Sequence, residues 1–172
     1  MKLIKFYLLL KKSLNNFLYK KKYNFTKKKY FKIIYMRREL KKTEYVTHYG
    51  DLEISLLEQI WENEEENMTE EDYKNDMKNY LYLVTIYNFK LNLINTKFFA
   101  YFINPEVQEW VDENIFLITK NIVEKIAFVV PTNIVAQISI EQTMEEANGL
   151  GYKKVAYFDT NEEARFWLLE NN

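Results

Sequence analysis

Cysteine is absent from this chain of 172 residues, and glycine, proline and histidine are scarce, with three, two and one residues respectively. The absence of cysteine excludes disulfide bonds, thiolate zinc sites and a cysteine nucleophile. Three glycines are too few for a glycine-rich phosphate-binding loop, and Gly149 and Gly151 precede a predicted strand instead of following one. A chain without cysteine fits a reducing compartment, so we predict a cytoplasmic protein.

The single histidine, His48, lies in a predicted strand between Thr47 and Tyr49. We predict a solvent-facing or locally hydrogen-bonded side chain, because a histidine metal cluster or catalytic triad would depend on this residue alone. None of the three serines lies in a G-x-S-x-G motif. Paired carboxylates such as Glu162-Glu163 lie on predicted exposed helix faces, where solvated surface charge explains them better than acid–base catalysis. A hydrolase built from Asp and Glu alone is therefore the least favoured hypothesis. We predict no enzymatic activity, no cofactor and no metal.

The formal net charge of −1 combines two segments of opposite sign. Residues 1–38 contain 13 of the 24 Lys and Arg residues and no acid, so residues 39–172 carry 11 basic and 25 acidic side chains, a charge of −14. A surface with that charge repels phosphate backbones. The sequence therefore predicts no nucleic-acid binding by the folded domain, which we place at residues 36–172.

Residues 1–35 form a basic, acid-free leader. Its longest lysine-free stretch is far shorter than the roughly 20 apolar residues of a membrane span, and Lys5 interrupts the apolar run that a secretory signal would need. Three interpretations stay open: a start assigned too early, with Met36 as the true start; a disordered tail; and an arm that binds anionic lipid or nucleic acid. Membrane contact is predicted only if the leader is part of the protein.

An unbroken apolar run at residues 126–130 predicts the strand around which the domain is organised. Its side chains do not alternate with polar ones, and Pro131 ends it, so both faces should be buried in the middle of a sheet. Gly50-Asp51 is predicted as a hairpin turn, and either a bulge or a separate element begins at Leu56-Leu57. Further strands are predicted at residues 45–49, 52–56, 90–94 and 152–158.

Helix caps and apolar spacing predict two helices in the first two thirds of the chain. Asn104 and Pro105 begin the second of them, which should bury Val107, Trp110, Val111, Ile115 and Ile118. We expect it to end at Asn121 in a left-handed conformation. Thr69 caps the first, whose apolar face consists of Tyr73, Met77, Tyr80, Leu81, Val84 and Tyr87.

Two more helices complete the predicted domain. One begins at Thr132 and runs through residue 147, and the other begins at Thr160 in a capping box with Glu163. The last helix should bury Ala164, Trp167 and Leu168. The order is β-β-α-β-α-β-α-β-α, which predicts an α/β fold with a mostly parallel central sheet flanked by helices.

Four segments together resemble the SpoIIAA-like, STAS-type domains of bacteria, the anti-sigma-factor-antagonist fold class. They are IWENEEENMTEEDYKND, LNLINTKFFAYFINPEVQEWVDENIF, KIAFVVPTNIVAQISIEQTMEE and VAYFDTNEEARFWL. The resemblance covers about residues 43–170 and stops at the leader. It implies a small α/β domain, and for the wider class it implies partner switching by phosphorylation of a hydroxyl at a helix start. The corresponding junction, residues 103–106, contains no hydroxyl, and Thr132 at another helix start is better explained as an ordinary cap.

The predicted function is a non-enzymatic interaction module that docks another protein around two helix starts. The candidate docking residues are Asn104, Glu106, Thr132 and Asn133. The alternative is a domain that carries a small apolar ligand or a lipid, in which the aromatic run at residues 98–102 lines a pocket. The same run is also explained by core and edge packing.

Overall fold

The computed structural model describes residues 37–62, 67–130 and 154–170. The leader, the predicted helix at residues 132–147, and the candidate docking residues Thr132 and Asn133 lie outside the described residues. The strands and helices of these ranges are, in chain order, β1 (Arg38–Lys42), β2 (Val46–Asp51), β3 (Leu56–Trp61), α1 (Glu70–Tyr87), β4 (Leu91–Asn95), α2 (Pro105–Val111), a π-helical turn (Asp112–Phe116), α3 (Leu117–Thr119), β5 (Lys125–Val129), β6 (Val155–Phe158) and α4 (Asn161–Leu169).

The six described strands form one sheet in the order β1-β2-β3-β4-β5-β6. β1, β2 and β3 pair antiparallel, whereas β3, β4, β5 and β6 pair parallel. The predicted α/β class with a mostly parallel sheet is therefore confirmed at this level. The prediction lacked β1, because its sequence RELKK has no apolar alternation. Such a charged sequence is usual for a strand at the edge of a sheet.

The two faces of the sheet pack against different helices, since side chains two positions apart share a face. Leu57, Ile126 and Phe128 pack under α1 and α2 in the larger core. Leu56, Leu93, Ala127 and Val129 pack under α4 in a smaller core with Ala164 and Leu168. β5 is thus buried on both faces, as its unbroken apolar run predicted. It lies between β4 and β6, next to the edge of the described sheet and not in its middle.

The segment between β2 and β3 differs from the prediction. Gly50 and Asp51 belong to β2, and the turn follows at residues 52–55, where Asp51 Oδ1 accepts hydrogen bonds from the backbone of Glu53 and Ile54. Ser55 closes the turn with a φ of 55°. The predicted strand at 52–56 is wrong, because the alternation of Leu52, Ile54 and Leu56 arises within this turn. A separate strand, β3, begins at Leu56.

Helix α1 follows the prediction closely. Thr69 Oγ1 accepts a hydrogen bond from the Asp72 backbone, and the Asp72 side chain accepts one from the Thr69 backbone, which completes a capping box. Four of the six predicted apolar side chains are buried, whereas Leu81 is half-buried and Tyr87 is exposed. The helix ends one residue after Tyr87, at Asn88, whose φ of 55° makes it a left-handed cap.

The helix that begins at Pro105 contains a π-helical turn that the sequence did not reveal. Each π turn adds one residue relative to an α-helical turn, so the buried face advances by one position. Thr119 is consequently buried while the predicted Ile118 is exposed. The expected left-handed cap at Asn121 is also wrong, since among the described non-glycine residues only Ser55 and Asn88 have positive φ.

The last helix, α4, begins as predicted. Thr160 Oγ1 accepts a hydrogen bond from the Glu163 backbone at 3.2 Å, and Ala164 and Leu168 are buried. Trp167, predicted to be buried, is half-buried and packs its ring 5.7 Å from that of Phe158.

Candidate functional site

Two of the candidate docking residues, Asn104 and Glu106, lie in the segment that follows the carboxyl end of β4. Thr96 follows β4 and is fixed to β5, because its backbone N–H and its hydroxyl both donate to the Val129 carbonyl at 2.9 Å. The loop then leads to Asn104, whose Oδ1 accepts a hydrogen bond from the Val107 backbone at 2.9 Å and caps α2 as predicted. Glu106 lies exposed in the first turn of that helix. Of the four candidate residues, the structure places these two.

The aromatic run at residues 98–102 alternates between the core and the surface. Phe98 and Phe102 are 45% and 60% exposed, whereas Phe99 is buried, with its ring 5.0 Å from Trp61 and 5.9 Å from Tyr73. Exposed aromatic rings near a rigid helix start are typical of protein-binding surfaces. We call Phe98, Phe102, Asn104 and Glu106 the carboxyl-end surface.

Acidic side chains lie beside the carboxyl-end surface. The Tyr101 ring stacks on Tyr73 at 5.2 Å, which joins the loop to the first turn of α1. Burial and the charge of Glu70 raise the pKa of Tyr101 above its ordinary value. Glu70 pairs with Lys74 at 2.6 Å, while Glu71 is exposed in the same first turn. The surface therefore combines apolar rings with nearby negative charge.

A cavity of about 50 Å³ lies beneath α1, close to the same end of the sheet. Its walls are mainly aromatic and aliphatic, and none of its lining side chains is charged. Burial raises the pKa of Tyr73, which is among them, above its ordinary value. The lining residues are Gln59, Trp61, Tyr73, Met77, Tyr80, Ile94, Thr96, Phe99, Ile103, Phe116, Ile126 and Phe128.

Polar side chains interrupt this otherwise apolar face of the sheet. His48 on β2 lies directly opposite Gln59 on β3. Asn92 on β4 is fully buried and donates a hydrogen bond from Nδ2 to the Tyr80 hydroxyl at 2.7 Å. The cross-strand register, and not any sequence motif, brings these three side chains together, so sequence reasoning missed the group.

The structure places His48 in the interior, which corrects the prediction of a solvent-facing or hydrogen-bonded histidine. Its side chain is fully buried, and neither ring nitrogen has a hydrogen-bond partner within the described residues. Burial, with a smaller contribution from the charge of Lys41, lowers the pKa of His48 to about 4. The prediction was wrong because β1 was not recognised: β1 pairs with β2, which makes β2 an inner strand and places Lys41 opposite His48.

Asp76, on the buried side of α1, is a second buried titratable group. Burial raises its pKa to about 6, although hydrogen bonds from Thr43 and Asn79 and the charge of Lys41 act in the opposite direction. Its Oδ2 has no partner in the described part of the chain. Neither Asp76 nor His48 lines the cavity.

The opposite face of the sheet carries a buried ion pair. Arg165 of α4 donates from Nε and Nη2 to the two carboxylate oxygens of Glu58 on β3, at 2.6 and 2.7 Å. Lys125 Nζ donates to carbonyls at the end of α4, the shortest bond being 2.8 Å to the Glu170 oxygen. These bonds attach α4 to the sheet.

Residues 37–62, 67–130 and 154–170 contain no cluster of three or more His, Asp or Glu side chains suited to hold a metal ion. None of the helices in these ranges is long and apolar enough to cross a membrane.

In comparisons with protein-family models, curated proteins and solved structures, nothing matches this chain. The resemblance to STAS-type domains stays a prediction.

Proposed function

We propose that this protein is a non-enzymatic, cytoplasmic interaction module of the STAS type, which docks a partner protein on the carboxyl-end surface. The observation that carries the proposal is the exposure of Phe98 and Phe102 beside the Asn104-capped helix start. Large aromatic side chains dominate the binding energy of protein interfaces when a partner desolvates them. Their placement on a loop held to the sheet by Thr96 keeps them in a fixed position.

The partner should present an apolar side chain next to lysine or arginine. Residues 39–172 carry a charge of −14, and Glu71 and Glu106 are exposed at the starts of α1 and α2. Complementary charge speeds association and selects against acidic partners. The absence of a hydroxyl at residues 103–106 means that docking at this helix start does not depend on its phosphorylation.

A charge-introducing variant of the carboxyl-end surface tests the proposal. A partner is first isolated with the full chain under mild conditions, and its affinity for purified variants is then measured by calorimetry. Phe102→Lys should weaken binding by at least about tenfold, because it removes a central ring and adds a charge that repels a basic partner. Phe102 is preferred to Asn104, since replacing the cap would also destabilise α2.

Tyr82→Lys is the matched control. Tyr82 is 63% exposed on α1, and it lies outside the carboxyl-end surface. Its substitution also replaces an exposed ring by a lysine, and it should leave the affinity unchanged. Equal affinities for the unmodified chain and Phe102→Lys would overturn the proposal, as would an equal loss with Tyr82→Lys.

A further inference from the structure

Four large apolar side chains are exposed on the second half of α1 and on the neighbouring α3. On α1, Tyr82 and Ile86 are 63% and 59% exposed. On α3, Leu117 and Ile118 are 41% and 47% exposed, and Ile118 reaches the surface because the π-helical turn before it shifts the buried face by one position. We call these four residues the outer apolar patch.

The two helices place the patch residues side by side. α1 connects β3 to β4, and α2 and α3 lie between β4 and β5; since these strands are parallel, the helices run in the same direction. Lys74 and Lys78 of α1 lie over the Trp110 ring of α2, at 5.2 and 5.8 Å from its centre. Tyr82 follows Lys78 by one turn of α1. Ile118 follows Trp110 by about two turns, so the patch continues from one helix to the other.

The region around the outer apolar patch carries no charge. Residues 79–89 and 114–119 contain no Lys, Arg, His, Asp or Glu, although charged side chains make up 28% of the whole chain. Thr85 Oγ1 and Asn114 Nδ2 each donate a hydrogen bond to the carbonyl four residues earlier in the helix, at 2.7 and 2.8 Å. A protein that covered the patch would leave both of these bonds in place.

The size of the outer apolar patch fits an interface between two identical chains. Its exposed fractions amount to about two whole side chains, or about 400 Å² at about 200 Å² for a large side chain. Each partner buries about 800 Å² in a standard interface, and about 65% of this area, or about 500 Å², is apolar in homodimers. The patch thus supplies most of the apolar area that a second copy needs.

We propose that the outer apolar patch binds the same patch of a second copy, which makes the protein a dimer with two-fold symmetry. Residues 39–172 carry a charge of −14, so two copies repel each other most where acidic surfaces meet and least at an uncharged surface. The carboxyl-end surface suits a basic partner instead, because Glu71 and Glu106 are exposed there. The dimer is independent of the docking function, since the patch occupies the second half of α1 and the carboxyl-end surface lies beside its first turn.

Sedimentation equilibrium of the full-length chain tests the dimer. Standard-size interfaces have dissociation constants of micromolar or below, so a sample at about 100 μM should sediment with twice the mass of the chain. Tyr82→Lys should raise the dissociation constant about 100-fold, because the two-fold axis introduces two lysines and each costs about tenfold. The mass of a single chain at this concentration would overturn the proposal. Binding of that monomer to phosphatidylcholine vesicles would show that lipid covers the patch instead.

Phe102→Lys provides the matched control. It also replaces an exposed ring by a lysine, but on the carboxyl-end surface, and it should sediment as the unmodified chain does. An equal loss of dimer with both variants, or with neither, would overturn the proposal. Because Phe102→Lys tests docking and Tyr82→Lys tests the dimer, failure of one function is distinguishable from failure of the other.

A distance measurement locates the interface in chains that keep the patch intact. The chain contains no cysteine, so Thr85→Cys and Glu106→Cys each carry one nitroxide label per copy. Both positions are exposed, the first beside the patch and the second on the carboxyl-end surface. Pulsed dipolar spectroscopy should give a shorter distance between the two labels at residue 85 than between those at residue 106. The opposite order would place the interface elsewhere and overturn the proposal.

Discussion

The two faces of the sheet differ in whether their buried polar groups have bonding partners. Under α4, the charges of Glu58 and Arg165 are paired in a two-bond geometry within a small apolar core. Under α1 and α2, both ring nitrogens of His48, the Oδ1 of Asn92 and one oxygen of Asp76 lie without hydrogen-bond partners among the described residues, and the cavity lies beneath α1. The difference indicates that the α4 face pairs its buried charges, whereas the α1 face, which contains the larger core, retains unsatisfied groups at a cost in stability.

Breaking the ion pair should give the largest effect. Arg165→Met leaves the buried Glu58 carboxylate without the guanidinium, and we expect the free energy of unfolding to fall by about 3–5 kcal/mol. Urea denaturation followed by circular dichroism measures this change. The double variant Arg165→Met, Glu58→Leu should recover most of the loss, because no charge then stays buried. A loss below about 1 kcal/mol, the value of an exposed pair, would contradict the structural role of this face.

Acid should destabilise the α1 face through His48. The folded-state pKa is about 4 and the ordinary value about 6.5, so the unfolded chain binds the extra proton between these values. Stability therefore falls as the pH drops below about 6.5 and levels off near pH 4, with a total loss of about 3 kcal/mol. Urea midpoints measured from pH 7 to pH 4 should show a smaller acid loss in His48→Phe. Parallel pH profiles of the variant and the unmodified chain would refute a neutral buried histidine.

Asp76 should act in the opposite direction and to a smaller extent. Its folded-state pKa is about 6, above the ordinary value, so the folded state holds the proton more tightly between about pH 4 and pH 6. Stability from this group is present at low pH and is lost as the pH rises through that window. Asp76→Asn should thus gain on the order of 1 kcal/mol at pH 7, and its acid destabilisation should become steeper than in the unmodified chain. A destabilised Asp76→Asn at pH 7 would contradict this assignment.

The local signals in the sequence predicted most of the α/β framework. Thr69, Asn104 and Thr160 cap their helices as expected, because a cap depends on residues within one turn. The unbroken apolar run likewise identified β5 as a strand buried on both faces. Such features need no knowledge of distant contacts.

Features that depend on distant contacts were not predictable in this way. β1 has no apolar pattern and is a strand because β2 pairs with it, and without β1 the burial of His48 could not be foreseen. The cavity arises from the register of β3, β4 and β5 under α1. The π-helical turn that buries Thr119 instead of Ile118 also lacks a sequence signal. For the candidate docking site, the sequence located Asn104 and Glu106 but did not separate the exposed Phe98 and Phe102 from the buried Phe99.

The bonds between the sheet and α4 also bear on the order of events during synthesis. The chain emerges from the ribosome amino terminus first, and Glu58 emerges 107 residues before Arg165. Until then its carboxylate lacks the guanidinium, and Lys125 lacks the carbonyls at the end of α4. The bonds that attach α4 to the sheet can thus form only after residue 170 has left the exit tunnel.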